Sequence, residues 1–366
     1  MNFDYNEEQQ LLAESVRRFL ARDYGFEKRK GIVDSSEGWS PRAWAQLAEM
    51  GVMGLPFPAD HGGFGGGAVD LMGVMDAFGE ALLVEPYLAT VMAGRIVARS
   101  ASEPQKRAIL PLVVEGKLRL AFAHTERGAR YNLAHVKTGA TKSGGGWVLV
   151  GAKCAVLGAP MAGKLVVSAK TPSGIGLFMV DAKDAELKPY RTLDGMVAAD
   201  VVLSDARGEL LAAEGDAPAL IEEATDFATA LVCAEGVGAM KFACDTTLEY
   251  LKTRKQFGVP IGTFQALQHR MVDMYVAYEQ AKSMACLACS KADTAADAKE
   301  RARAVSAAKI KVADNCRHIS QESVQLHGGM GMTEELKVSH TFRRLTMIAQ
   351  QFGDAEHHLA RFARLS

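Results

Sequence analysis

The stretch ESVQLHGGMGMTEE, which runs from Glu322 to Glu335, interrupts a long helical pattern near the C-terminal end of the chain. Two adjacent glycines, Gly328 and Gly329, follow the helical residues, and Gln325 stands just before them. A single glycine is enough to end a helix, because only one residue needs the left-handed conformation. The second glycine therefore indicates a surface that is shaped by more than helix termination.

The sequence around this stretch has the period of a helical bundle. From about residue 218 onward, apolar residues recur at the 3.6-residue spacing of helices that bury one face. Helices are predicted at about 218–252, 263–292, 296–327 and 334–348, with a last one from Asp354. These lengths and short connections predict a four-helix bundle over residues 217–366.

The middle of the chain changes to the period of β-strands. Short apolar runs such as LRLAFAHT, WVLVGAKCAVLG and GIGLFMVD alternate with clusters of glycine, proline, aspartate and serine. No helical pattern separates these runs, which argues against parallel strands joined by crossover helices. Residues 119–216 are therefore predicted to form an antiparallel β-barrel or sandwich.

The first third, residues 1–118, is predicted to be a helical domain. The segment NEEQQLLAESVRRFLARDY places Leu11 and four other apolar residues on one stripe, and Asn6 is its predicted N-cap. A glycine-rich stretch, PFPADHGGFGGG at 56–67, lacks the lysine and hydroxyl of a phosphate-binding loop, which favours a plain connection. The predicted fold class is α+β, in the order helical domain, β domain and helical bundle.

Composition excludes several classes of protein. The chain has 366 residues, 48% of them hydrophobic and 23% charged, with a formal net charge of -1, which excludes a disordered chain and a basic nucleic-acid binder. Its six cysteines lack the paired spacing of a zinc site and are predicted to be buried thiols of a reducing cytosol, so we expect no metal. With no secretory leader and no apolar run of about 18 residues, we expect a cytoplasmic protein without a membrane partner.

Two segments resemble the acyl-CoA dehydrogenase family of flavoproteins: YLKTRKQFGVPIGTFQALQHRMVDM (Tyr250 to Met274) and QLHGGMG (Gln325 to Gly331). The resemblance extends over essentially the whole chain. Within the family, YGFEKRKGIVDSSEGWS, LPFPADHGGFGGG and QQFGDAEHHL are similar to the small subunits of pimeloyl-CoA dehydrogenases. The resemblance implies FAD-linked α,β-dehydrogenation of an acyl-CoA, with a dicarboxylyl group such as pimeloyl as the acyl class.

The resemblance also implies how FAD is held. In the family, the arginine that matches Arg254 reaches the pyrophosphate of an FAD bound mainly by a neighbouring subunit, and a guanidinium suits that role because it pairs with two phosphate oxygens at once. The aromatic residue that matches Phe257 lies against the adenine side. The implied cofactor-binding residues are Arg254, Gln256, Phe257, Gln265, Gln325, Gly328, Gly329 and Thr125.

The β domain departs from the family pattern where the flavin ring would lie. The stretch HTERGARYN (His124 to Asn132) keeps Thr125, but Arg130 and Tyr131 stand where the family has a glycine and a serine that leave room for the flavin. The segment after Lys153 lacks the tryptophan and hydroxyl of the family, which favours an ordinary buried strand there.

The catalytic base of the family is also replaced. Removing the α-proton of an acyl-CoA needs a carboxylate, and Phe352 occupies the position of the family's usual glutamate. The alternative position on the first bundle helix holds Ala228. Asp354 is the remaining candidate, either as the base or as the N-cap of the last helix, and both interpretations stay open.

Three functions follow, and we favour the first. The chain is the non-catalytic small subunit of an α2β2 enzyme, in which it completes the FAD site of an acyl-CoA dehydrogenase large subunit. Alternatively, it is an active homo-oligomeric acyl-CoA dehydrogenase that uses Asp354 as its base. The third function is that of a flavin-free structural or regulatory relative.

Overall fold

The computed structural model describes residues 6–213 and 215–365, so the first five residues of the predicted helical domain lie outside it. Cα packing divides the chain into two compact units. Unit 1 contains the described residues of 1–30, 68–83 and 229–366, and unit 2 those of 31–67 and 84–228. The three-domain boundaries along the sequence stay a prediction.

Between residue 6 and the first strand, the structure describes six α-helices, as the helical pattern of the first third predicts. They are α1 (Glu7–Asp23), α2 (Phe26–Asp34), α3 (Pro41–Glu49), α4 (Ala68–Ala81), α5 (Tyr87–Ser100) and α6 (Glu103–Val114). The predicted N-cap of α1 is confirmed: the Asn6 side chain accepts the Gln9 N–H at 2.8 Å and the Gln9 side chain accepts the Asn6 N–H at 2.9 Å. The predicted burial of Leu11 is wrong, since it is 55% exposed and Ala13 takes the inward position instead.

The glycine-rich segment at 56–67, between α3 and α4, is irregular except for a short 3-10 turn at Ala59–His61. One of its glycines serves close backbone packing: a Cβ on Gly63 would lie 2.1 Å from the carbonyl oxygen of Phe57. This confirms the interpretation of the segment as a plain connecting loop in which backbone approaches backbone.

The described residues of unit 2 contain seven strands, of which five form a closed β-barrel and two add to its sides. They are β1 (Leu120–Ala123), β2 (Gly139–Ser143), β3 (Gly146–Leu157), β4 (Lys164–Thr171), β5 (Gly174–Asp181), β6 (Glu186–Arg191) and β7 (Val197–Ala212). Pairing runs β4–β2–β3–β7–β5 and returns from β5 to β4, while β1 adds to β4 and β6 adds to β7. Apolar side chains inside the barrel, including Leu149, Val167 and Phe178, are fully buried.

The predicted barrel is confirmed, but its strands are not all antiparallel. β1 pairs with β4 in parallel register, Leu120 opposite Lys164 through Ala123 opposite Val167. The expectation rested on the absence of a crossover helix between the strands. Here the β2–β3 hairpin lies between the two strands in sequence, so it supplies the crossover instead.

Five further helices follow the barrel: α7 (Ala217–Thr253), α8 (Gln265–Thr294), α9 (Ala298–His327), α10 (Lys337–Gln350) and α11 (Ala355–Arg364). A two-stranded hairpin, β8 (Lys255–Gln256) and β9 (Val259–Pro260), separates α7 from α8. The observed bounds lie within three residues of the predicted ones. The predicted fold class, helices followed by a β domain and a helical bundle, is confirmed.

Helix α7 is long and apolar enough to cross a membrane by composition, with a mean hydropathy of 1.4 over an 18-residue window. Of that window, 89% is buried inside the protein, as in the core helix of a globular fold.

All six cysteines are free. The prediction that they are buried fails for Cys154 and Cys286, which are partly exposed.

Candidate functional site

The ends of three helices meet at one end of the bundle in unit 1. Successive antiparallel helices bring the end of α7, the start of α8 and the end of α9 to the same side. Three contacts fix this arrangement: Thr247 Oγ1 to Ser323 Oγ at 2.9 Å, Arg270 Nε to Glu322 Oε2 at 2.6 Å, and the stacked rings of Tyr250 and His327. We call residues 254–265 and 325–332 the bundle end.

The hairpin that follows α7 presents an aromatic ring to solvent. Phe257 has a φ of 52° and Gly258 a φ of 82°, as the two central residues of a tight hairpin turn require. A positive φ is uncommon for a bulky residue, and the Phe257 side chain is also 91% exposed. The ring has an edge-to-face contact with the Phe264 ring, whose centroid lies 6.2 Å away, but it remains largely in solvent. A strained aromatic residue that stays this exposed favours a binding role.

Each glycine of the Gly328–Met332 turn has a different relation to the fold. Gly328 has φ 60° and ψ -145°, a conformation that glycine alone adopts readily. A Cβ on Gly331 would lie 2.6 Å from the carbonyl oxygen of Val324. Gly329, in contrast, has an ordinary φ, and a Cβ there would meet no atom within 4 Å. The fold of this chain therefore does not require glycine at position 329.

The structure brings seven of the eight predicted cofactor-binding residues to the bundle end. All of their side chains or backbones face solvent. They are Arg254, Gln256, Phe257, Gln265, Gln325, Gly328 and Gly329. The eighth residue, Thr125, is exposed in unit 2.

Thr125 belongs to a turn that is fixed to the barrel by a buried ion pair. Its carbonyl oxygen accepts the N–H of Cys154 at 2.8 Å. The neighbouring Glu126 accepts Lys153 Nζ at 2.8 Å and the Thr138 N–H at 2.9 Å. Burial opposes the charge of Glu126, but these donors outweigh it and hold its pKa at about 2, while burial lowers the pKa of Lys153 to about 8.

The strand after Lys153 is not the ordinary buried strand that was predicted. The register of β3 against β7 shifts between Lys153 and Val156, and Ala155 is exposed with a φ of 53°. Across this bulge, the Asp200 carboxylate accepts the Ala155 N–H at 3.4 Å and Arg127 Nη2 at 3.2 Å. Such bulges terminate pairing and redirect side chains, which periodicity alone does not reveal.

Phe352, which the sequence resemblance aligns with the family's glutamate, has a φ of 58°. The buried His358 holds its carbonyl: Nε2 donates to Phe352 O at 3.2 Å, and Nδ1 accepts from the Ser306 hydroxyl at 3.3 Å. The alternative position, Ala228, is fully buried in α7. Neither phenylalanine nor alanine can accept a proton.

Asp354 caps the last helix, which confirms one of its two interpretations. Its Oδ1 accepts the backbone N–H of His357 at 2.8 Å. Its role as a catalytic base stays a prediction.

The two roles of Asp354 can be separated by substitution. Asparagine is an equally good N-cap, so Asp354→Asn is expected to leave stability unchanged, whereas Asp354→Ala is expected to cost about 1 kcal/mol of unfolding free energy. If Asp354 is only a cap, the asparagine variant also keeps any α-proton exchange activity of the purified assembly. Loss of exchange in a stable Asp354→Asn variant would instead assign it as the base.

Comparison with known proteins identifies the family. The chain matches the acyl-CoA dehydrogenase N-terminal domain over residues 6–117, the middle domain over 121–205 and the C-terminal domain over 219–365. It is 30% identical over 369 residues to the acyl-CoA dehydrogenase FadE12 of Mycobacterium tuberculosis, which covers 95% of this chain and 93% of that protein. It is 28% identical to the caffeyl-CoA reductase-Etf complex subunit CarC of Acetobacterium woodii, over 93% of each chain.

Among solved structures, the Tcur3481-Tcur3483 steroid ACAD G363A variant is similar with a TM-score of 0.90 and 28% identity, covering 98% of this chain and 97% of that chain. The chain therefore belongs to the acyl-CoA dehydrogenase family. It is an oxidoreductase of this family or a subunit of one, and FAD is the cofactor of the family.

The bundle end fits the nucleotide part of FAD. Gly329 leaves open space that its own chain does not fill, and glycine lets a ligand approach the backbone closely. The exposed Arg254 guanidinium suits a pyrophosphate, and the exposed Phe257 ring suits a base. Among the residues that the structure describes, no group of three metal-ligating side chains occurs.

The sequence assigned no role to Tyr250 or His327, which the structure brings together beside this site. Their rings stack with centroids 4.4 Å apart and planes 28° apart. The available signal was position, since Tyr250 stands four residues, about one helical turn, before Arg254 and His327 immediately precedes Gly328.

Proposed function

We propose that this chain is the non-catalytic small subunit of a heteromeric, cytoplasmic acyl-CoA dehydrogenase of α2β2 composition. In this proposal, the bundle end completes an FAD site that the large subunit mainly holds. The proposed substrate class is a dicarboxylyl-CoA such as pimeloyl-CoA, on the basis of the three segments that resemble the small subunits of pimeloyl-CoA dehydrogenases.

The observation that carries the proposal is the contrast between two positions. Position 329 is a glycine although the described fold does not require one, whereas the resemblance places Phe352 where the reaction needs a carboxylate. A cofactor that approaches the backbone closely would explain the first position. An acid or base supplied by another chain explains the second.

The barrel supports the same division of roles. At the Ala155 bulge, the Asp200 carboxylate is engaged by Arg127, by the Ala155 N–H and by the Tyr190 hydroxyl at 3.4 Å. The residues of this bulge, Cys154 to Val156, supply neither the hydroxyl nor the indole that the resemblance implies beside the flavin ring. Two similar proteins are also named for assemblies, the CarC subunit of a complex and the Tcur3481-Tcur3483 pair.

The test is to purify the chain alone and after co-expression with a neighbouring large-subunit gene, and to measure native mass and flavin content. We expect little flavin in the chain alone, and an α2β2 assembly that contains FAD and oxidises pimeloyl-CoA. A homotetramer of this chain alone, with one flavin per chain and full activity, would refute the proposal.

A substitution in this chain should then change the flavin of the assembly. Arg254→Gln is expected to weaken FAD binding at least about tenfold, the effect of losing a charge-assisted phosphate contact of about 1.5 kcal/mol or more. Arg317→Gln is the matched control, since Arg317 is also an exposed arginine of the bundle, about 15 Å along α9 from His327. Equal FAD affinity of the two variants would place the cofactor elsewhere.

A further inference from the structure

The stacked rings of Tyr250 and His327 lie at the base of the bundle end: His327 belongs to it, and Tyr250 is in the last turn of α7 just before it. Their centroids lie 4.4 Å apart, and His327 is only 3% exposed. Nδ1 of His327 donates to the Ser323 carbonyl at 2.8 Å, because a carbonyl oxygen can only accept. Burial lowers the pKa of His327 below its ordinary value, which keeps the ring neutral and its tautomer fixed at neutral pH.

Each ring belongs to a residue whose backbone leads directly into one segment of the candidate cofactor site. The carbonyl oxygen of Tyr250 accepts the N–H of Arg254 at 2.8 Å, and the carbonyl oxygen of Arg254 accepts the N–H of Ile261 at 2.8 Å. Arg254 therefore links the last turn of α7, which contains Tyr250, to the far end of the hairpin. On the other side, His327 is the last residue of α9, and the turn starts at Gly328.

The stack joins the last turn of α7 to the last residue of α9. One turn inward, Thr247 and Ser323 share a hydrogen bond of 2.9 Å, and Thr247 also donates to the Ala243 carbonyl at 2.6 Å. Helix ends fray unless they are held, and a binding site loses affinity when its parts must be ordered by the ligand. A rigid pair of rings at this point removes that cost for both segments together.

We propose that Tyr250 and His327 are a positioning pair, which holds the Arg254 hairpin and the Gly328–Met332 turn in register for the nucleotide end of FAD. This inference rests on the proposed function of the bundle end. Neither ring is proposed to touch the cofactor. The pair acts by fixing the distance between two segments that are far apart in sequence.

The test uses the full-length chain in the assembly in which it is purified, with FAD and ADP as titrated probes. Tyr250→Leu and His327→Leu are each expected to weaken binding of both probes about tenfold. The double leucine variant is expected to bind no worse than either single variant, because either change already removes the stack. Tyr250→Phe and His327→Phe keep an aromatic pair and are expected to restore most of the affinity.

A second readout does not depend on the cofactor. In the His327→Leu variant, hydrogen–deuterium exchange is expected to speed up in the hairpin at 254–260 as well as next to the substitution. Fast exchange confined to residues near 327, together with wild-type affinity, would overturn the inference and leave the stack a purely structural contact.

Arg254→Gln separates this inference from the proposed function. If Arg254→Gln weakens probe binding while both leucine variants bind like the wild type, only the positioning pair is refuted. If none of the three variants changes affinity, the bundle end is not the cofactor site and both proposals fall.

Discussion

Replacing Gly238 by alanine is expected to cost at least about 3 kcal/mol of unfolding free energy, a large part of the roughly 5–15 kcal/mol that stabilises a typical protein. A Cβ at this position in α7 would lie 1.8 Å from the carbonyl oxygen of Asp76 in α4. The contact is reciprocal, since a Cβ on Gly79 would lie 1.8 Å from the carbonyl oxygen of Glu235. Backbone cannot rotate away as a side chain can, so the two helices must separate.

Gly236 provides the matched control on the same helix. An alanine Cβ there would meet only side chains, Ile348 Cγ2 at 3.3 Å and Cys316 Sγ at 3.4 Å. Alanine also favours a helix by up to about 1 kcal/mol over glycine, so Gly236→Ala is expected to be close to neutral. Urea unfolding of both variants measures the difference. Equal stability of Gly236→Ala and Gly238→Ala would show that α4 and α7 do not cross at their backbones.

The sequence predicts helices more reliably than the contacts between them. The bounds of α8 and α9 differ from the predicted ones by two residues or fewer, because a 3.6-residue period and capping residues are local signals. The crossing at Gly79 and Gly238 was not predicted, since a glycine inside a helix carries no sign of which backbone approaches it. Likewise, the parallel pairing of β1 with β4 depends on residues far apart in the chain.

The residues of the candidate site also differ in whether the sequence alone reveals them. Arg254 and Gly329 could be named from motifs, and the structure places them at one end of one bundle. The Tyr250–His327 stack joins residues 77 positions apart, and no local pattern links them. The bulge at Ala155 was not predicted from the sequence. Lys153 and Val156 on either side of it are both buried, so the residues around it still look like a regular strand.

Lowering the pH from 6.5 to 4.5 is expected to remove about 4 kcal/mol of unfolding free energy, through two buried histidines. Burial lowers the pKa of His124 to about 4 and that of His358 to about 3, whereas an unfolded histidine titrates near 6.5. Between these values, the unfolded chain binds about two more protons than the folded one. Stability therefore falls with falling pH, by about 1.4 kcal/mol per pH unit for each histidine.

The local contacts explain why protonation of either histidine ring is unfavourable in the folded protein. His124 bonds to the Ser168 hydroxyl at 2.8 Å and is repelled by the Lys153 ammonium. His358 already donates to the Phe352 carbonyl, and Lys309 lies close enough to oppose a second charge. Below pH 4.5, Glu126 is protonated in the unfolded chain but stays ionised in the folded one, where its pKa is about 2. This difference is expected to add a further loss of stability.

Urea unfolding at a fixed protein concentration, from pH 7.5 to 4.5, measures this slope. His124→Gln and His358→Gln each replace a titrating ring by a neutral polar side chain. Each is expected to reduce the slope of unfolding free energy against pH by about 1.4 kcal/mol per pH unit, which corresponds to one proton. The unfolding free energy of each variant at pH 7.5 is the control. A loss of stability at that pH reflects altered packing, because the histidines are already neutral there. A slope that stays unchanged in the double variant would mean that other groups, such as the half-buried His340 and His357, take up the protons.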